Sequence, residues 1–161
     1  MTRPLTPIPH FNLFYRHDAL TRLLFDYADA FPDLVTVESI GKSFEGRDIW
    51  VVILTNAATG PHDEKPAFWT DGNIHAAELT ASTAVIYYLH GLVNRYGEDA
   101  EITHLLNTRT LYLCPRLNPD GAELALAERP RHIRSSTRRY PFDEDPVEGL
   151  TMEDVDGDGR V

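Results

Sequence analysis

Helical and strand periods alternate along this chain, and the alternation predicts an α/β domain built on a mixed sheet. Three observations carry that prediction. Apolar residues recur at helical spacing in 18–31 and again from 78 to 96. Short runs rich in Val, Ile, Leu and aromatic residues fall between them, and Gly, Pro and Asp clusters punctuate the joins. With 161 residues, 42% of them apolar and 25% charged, the chain has the length and balance of one ordinary globular domain; two would be crowded.

After a proline-rich start, MTRPLTPIPHFNLFY, the segment 18–31 sets Leu20, Leu23, Leu24, Tyr27 and Ala28 on one helical face, and FPD stops it. LVTVESI and RDIWVVILT read as strands flanking the turn GKSFEG, which makes a hairpin. GPHDEKP is a loop by composition, and PAFWTDG is a short strand. From Glu78 onward, Ala81, Ala84, Val85, Tyr88, Leu89, Leu92 and Tyr96 trace a second helical face, ended by Gly97. AEITHLLNT reads as a shorter helix and RTLYLCP as a buried strand. NPDG, Asn118 to Gly121, is an ideal turn tetrapeptide, with proline second and glycine fourth. Past Gly121 the pattern weakens into a basic segment, ERPRHIRSSTRRY, and then an acidic one.

Composition excludes several functions. A formal charge of −10 argues against a nucleic-acid partner, because neutralising phosphates requires positive charge. Cys114 is the single cysteine, which rules out an internal disulfide and CxxC zinc sites; its apolar setting predicts an inert buried thiol. No apolar run approaches a membrane span, and the start lacks the continuous apolar stretch of a signal peptide, so a cytoplasmic location is favoured.

The stretch TDGNIHAAELTAS carries the chemistry. His75 and Glu78 stand three residues apart where a strand gives way to a helix. Across such a turn an imidazole nitrogen and a carboxylate oxygen can meet one zinc ion, and a catalytic site adds a third ligand and an open position for water. The end of a strand in an open α/β sheet is also the usual place for a site. The alternative is structural: Glu78 favours a helix N-terminus through the macrodipole, and His75 is an ordinary loop residue.

Three further motifs accompany the pair in fixed order: GKSFEGRDIWVVIL upstream, then CPRLNPDG and RHIRSS downstream. Together they resemble the zinc carboxypeptidases, the M14 metallopeptidases, over roughly residues 15 to 140. The hairpin is matched by Gly41, Ser43, Glu45, Gly46, Arg47 and Ile49, the H-x-x-E pair by His75 and Glu78, and N-P-D-G by Asn118 to Gly121.

The resemblance implies a three-layer α/β/α fold with a mixed sheet, of which 1–161 is one partial catalytic domain. It also implies a Zn2+-dependent peptidase acting at a peptide or protein C-terminus, with His75 and Glu78 as zinc ligands. An arginine about a dozen residues past N-P-D-G would stabilise the oxyanion; Arg134 fits best and Arg131 is the second choice. The alternative for this segment is a solvated basic patch facing the acidic tail. His132 is the one histidine past N-P-D-G that could serve as a third ligand; His90 and His104 sit in helical patterns.

This sequence departs from the family at Ala77, where many members carry a substrate-holding arginine, and it ends before the family's third ligand and general base. A non-catalytic carboxypeptidase-like domain, serving calcium-dependent or partner binding, is therefore the second reading.

The tail, 143–161, ends in DVDGDGRV, half of an EF-hand-type calcium loop. Asp154, Asp156 and Asp158 would supply side-chain oxygens for Ca2+, and Arg160 its carbonyl. The alternative is an acidic, glycine-rich surface loop. An ending inside a loop predicts that this chain is the N-terminal portion of something longer, with self-association through exposed sheet edge and apolar surface.

Overall fold

The structure is a computed structural model, and it describes residues 7–138, 154 and 157–159. Helix α1 (His17–Ala30) buries Leu20, Leu23, Leu24 and Tyr27 as their spacing predicts, with Ala30 buried and Ala28 half-buried. The hairpin follows as β1 (Val35–Lys42) and β2 (Asp48–Leu54). Its turn closes with the Ser43 N–H donating to Arg47 O at 2.8 Å and the Gly46 N–H to Ser43 O at 3.0 Å. Gly46 has φ +83, a left-handed conformation that costs glycine nothing.

Strand β3 (Ala67–Asp71) leads into α2 (Leu79–Arg95), followed by α3 (Ala100–Thr108) and β4 (Thr110–Cys114). Asp99 caps α3, accepting the Glu101 and Ile102 N–H groups at 2.9 and 3.1 Å. The sheet order is β1-β2-β4-β3. Strand β2 pairs antiparallel with both β1 and β4, and β3 runs parallel to β4, so the sheet is mixed as expected. The parallel pair with its intervening helices is a βαβ crossover.

The main core lies between the helices and one face of the sheet. Leu24 and Tyr27 of α1, Ile86 and Leu89 of α2 and Leu106 of α3 pack on Val52, Leu54, Leu111 and Leu113. The opposite face carries a smaller cluster of Val51, Ile53 and Cys114, with Ile49, Tyr112 and Leu117 packed beside it. Cys114 is fully buried and unpaired, and burial pushes its thiol up to about 12, so it is the inert thiol anticipated. Among the described residues no helix is long and apolar enough to cross a membrane.

One expectation needs correction. Asn118–Gly121 is not a free-standing turn but opens a helix, α4 (Pro119–Ala125). Asn118 takes the N-cap position, its Oδ1 accepting the Gly121 N–H at 2.9 Å, and Pro119 fills the first helical position, where no N–H is needed. Turns and helix starts use the same residue chemistry, so the tetrapeptide alone does not separate them.

Candidate metal centre

The site is assembled where β3 ends. Beyond Asp71 the chain is stitched to the segment after β4: the Gly72 N–H donates to Cys114 O at 2.9 Å, Leu117 N–H to Gly72 O at 3.0 Å and Asn118 N–H to Asn73 O at 3.1 Å. Gly72 has no room for a side chain, because an added Cβ would stand 2.7 Å from the carbonyl oxygen of Ala81. The strand end thus rests directly on the first turns of α2.

Asn73 follows with φ +56, a left-handed conformation that asparagine tolerates better than most residues. It is 1% exposed, and its Nδ2 donates to His75 O at 2.7 Å and Ala76 O at 3.1 Å. This fold-back holds the backbone of His75 itself and of Ala76 after it.

His75 Nδ1 and Glu78 Oε2 stand 2.9 Å apart, both partly open to solvent. Glu78 occupies the N-cap position of α2 yet its side chain caps no backbone N–H. It faces His75 instead, while still standing at the helix N-terminus where the macrodipole favours an acid. The donor chemistry, one imidazole nitrogen and one carboxylate oxygen, suits zinc. Two donors at zinc-bond length from a tetrahedral ion lie about 3.3 Å apart, so the pair needs to open by only a few tenths of an ångström. The pair fits two of the ligands of such a site. Among the described residues no group of three His, Cys, Asp or Glu gathers anywhere, so His132 does not complete it.

Arg134 comes to the site through its backbone. Its carbonyl oxygen accepts the Ala76 N–H at 3.0 Å, and the neighbouring Ser135 O accepts Asn118 Nδ2 at 2.7 Å. Arg134 is exposed, and its backbone meets Ala76, the residue after His75. Arg131 is tied elsewhere, its N–H donating to Leu124 O of α4 at 3.4 Å. The backbone of Arg134 thus meets the loop that carries His75, whereas the backbone of Arg131 meets α4.

Behind the site, Asp120 locks the hairpin to α4. Its Oδ1 accepts Ser43 Oγ and Arg47 Nη1, each at 2.7 Å, and its Oδ2 accepts the Glu45 N–H at 2.8 Å. Burial opposes the charge of this 3%-exposed acid, but those three donors and the Arg47 charge hold its carboxyl below the usual range. The two motifs that flank the pair in sequence are thus bonded to each other. Arg116 is also buried; its Nη2 donates to Tyr15 O at 2.8 Å, and burial lowers its guanidinium to about 10, still charged at neutral pH.

In the tail, Asp154 turns inward. Its carboxylate accepts the Gly157 and Asp158 N–H groups at Oδ1 and the Gly159 N–H at Oδ2, between 2.7 and 3.1 Å. Asp158 is exposed, while Asp156 and the Arg160 carbonyl lie outside the described residues. No gathering of acids for Ca2+ occurs among the described residues.

The sequence pointed to His75 and Glu78, which the structure brings within 2.9 Å, but not to the bonds that Asn118 and Asp120 make. The usable signal was charge complementarity between the hairpin's Arg47 and the acid of N-P-D-G.

Fold and site together define an α/β domain whose polar pair lies beyond the C-terminal end of a parallel strand. The family follows from comparison. The model of the zinc carboxypeptidase family, peptidase M14, matches residues 20–156, and the chain belongs to that family.

Mouse carboxypeptidase A2 is 38% identical over 90 residues, covering 56% of this chain and 20% of its own length. Mouse carboxypeptidase Z is 36% identical over 124 residues, 74% of this chain and 19% of the relative. A yeast relative, the inactive metallocarboxypeptidase ECM14, is 35% identical over 92 residues, 57% of this chain and 21% of the relative. The carboxypeptidase A structure from Helicoverpa armigera superposes with a TM-score of 0.66 at 25% identity, covering 78% of this chain and 30% of that one. The chain therefore spans about a fifth of the length of these curated relatives.

Proposed function

We propose that this chain carries the first part of a zinc-dependent carboxypeptidase site, hydrolysing the last peptide bond of a peptide or protein C-terminus. The observation that carries the reading is the facing of His75 Nδ1 and Glu78 Oε2, 2.9 Å apart at the end of β3, with Arg134 hydrogen-bonded alongside. In this reading His75 and Glu78 hold zinc, and a third ligand comes from outside the described residues. When bound, zinc polarises the scissile carbonyl and acidifies a bound water.

The residues of this chain do the positioning. Asn73 holds the backbone of His75 and Ala76, which steadies the start of the turn from His75 to Glu78. Arg134, anchored at its carbonyl but free at its side chain, offers a cation where negative charge develops on the carbonyl oxygen. Such a donor favours the transition state over the ground state, which is where rate is gained.

The test has two arms. Zinc affinity is measured by competition with a chromogenic chelator, and hydrolysis with paired peptides bearing free or amidated C-termini. Cleavage of the free form alone supports the reading; absence of zinc binding in a chain extended to a complete site sinks it. A second reading, a non-catalytic domain, is favoured by Ala77 and by the relative named as inactive. Zinc binding without hydrolysis would select it.

A further inference from the structure

The loop that carries His75 and the segment that carries Arg134 are different parts of the chain, and one side chain joins them. Asn118 Nδ2 donates to Ser135 O at 2.7 Å and, more weakly, to Ile74 O at 3.5 Å, while its Oδ1 accepts the Gly121 N–H at 2.9 Å. Its own N–H donates to Asn73 O at 3.1 Å. The amide orientation follows from these partners: two carbonyls face the nitrogen, and one N–H faces the oxygen.

The packing leaves no slack. A Cβ added at Gly121 would stand 2.4 Å from Ala76 Cβ and 2.9 Å from both terminal atoms of Asn118. The start of α4 is therefore pressed against the loop between His75 and Glu78. Across the same gap the Ala76 N–H reaches Arg134 O at 3.0 Å.

We infer that Asn118 is a positioning residue that sets the distance between the His75 loop and Arg134. The inference rests on the proposed roles of those residues for its effect on turnover, but the clamp itself is a property of the metal-free fold. Only asparagine offers two donors and one acceptor at this reach. Aspartate keeps the acceptor and loses both donors; serine keeps a helix cap of similar quality but is too short to span to Ser135.

The experiment compares the wild-type chain with Asn118→Ser and Asn118→Asp, both zinc-free, by amide hydrogen exchange. The Ala76 amide is expected to exchange at least about tenfold faster in both variants, while amides of β2 and α2, such as Val52 and Leu89, keep their protection. Unchanged Ala76 exchange overturns the inference, and so does uniform acceleration across the chain, which would mark a general stability role.

In a chain with measurable hydrolysis, Asn118→Ser lowers kcat, and it costs nothing further once Arg134→Ala is present. Additive losses in that double variant would overturn the route through Arg134. Absence of hydrolysis in a chain extended to a complete site counts against the proposed function alone, because the exchange measurement still decides the clamp.

Discussion

Asp120 Oδ1 lies 2.7 Å from Arg47 Nη1, joining a helix start to a hairpin turn 73 residues earlier in the chain. The acid is almost fully enclosed, with its side chain 4% exposed against 29% for the arginine. Without Asp120, Arg47 keeps Glu45 at 2.5 Å and some solvent, but the Ser43 hydroxyl and the Glu45 N–H lose their acceptor. Asp120→Ala is expected to cost about 1–3 kcal/mol in chemical denaturation, the range for losing hydrogen bonds to a buried charged acceptor. Asp120→Asn keeps the shape and part of the hydrogen bonding, so its loss is smaller. A change within error for the alanine variant would show that the hairpin does not depend on α4.

The same contact sets a dependence on pH. The Asp120 carboxyl sits below its ordinary value of 3.8 because donors and Arg47 outweigh burial, and Glu123 is held below 4.5 mainly by Arg16 and the His17 N–H against the cost of burial. A carboxyl depressed in the folded state binds fewer protons there than in the unfolded chain. It therefore stabilises the fold above the unfolded value, and that contribution is lost as pH falls through the folded value.

His90 and His17 add a second window. Burial depresses both below 6.5, with Arg116 adding to the effect on His17. Their neutral forms stabilise the fold above that value, and stability falls as pH drops through it. Thermal unfolding is expected to show a loss beginning near pH 6.5 and a steeper one below about pH 4. His90→Gln, which keeps a polar partner for the Tyr27 hydroxyl now 2.7 Å from His90 Nδ1, is expected to flatten the upper step.

Much of this was legible in the sequence because it rests on local periodicity. The α1 face, the β1–β2 hairpin and the α2 stop all follow from spacing and turn residues within a dozen positions. His75 and Glu78 were legible for the same reason, since a three-residue separation fixes which side chains can meet. Sequence did not reveal the partners of Asp120 and Asn118, because Ser43 and Ser135 lie 77 and 17 residues away from them. Nor did it separate a turn from a helix start at Asn118, where both conformations use the same amide oxygen.

Gly72 tests how rigidly the strand end must seat on α2. An alanine Cβ there would meet the Ala81 carbonyl carbon at 2.8 Å and the Ser82 nitrogen at 3.1 Å, all backbone atoms that cannot turn aside. Overpacking of this sort costs about 1–3 kcal/mol, and relief requires β3 and α2 to separate. Gly72→Ala is expected to lower the melting temperature. Because the shift passes through the loop to His75, it is also expected to weaken zinc binding in a completed site. By contrast, Gly91→Ala in α2 meets nothing within 4 Å and is expected to be neutral or mildly stabilising. Equal effects at the two positions would refute the close-packing argument.

His75→Ala separates the metal reading from the structural one. The imidazole is partly open to solvent and pairs with the Glu78 carboxylate, so its loss is expected to leave the unfolding midpoint nearly unchanged. Zinc affinity in a completed site is expected to fall by more than about 100-fold, since even the residues behind a ligand are worth 10–100-fold. A large stability loss with zinc binding intact would instead make His75 a structural residue.

The exposed margin of the sheet leads to a last prediction. Among the described residues β3 pairs with β4 alone, leaving one of its edges without a strand. Phe68 and Trp69 of that strand are 59% and 46% exposed, and Ile40 of β1 is 54% exposed. An unpaired edge bearing large apolar side chains is a template for pairing with another copy. The 161-residue chain is therefore expected to run above its 18.2 kDa monomer mass in light scattering, increasingly so with concentration. Phe68→Lys and Trp69→Lys are expected to shift it toward the monomer, because charge on an edge strand penalises pairing without touching the main core. A concentration-independent monomer for the wild-type chain would show that the edge is guarded by something other than its own side chains.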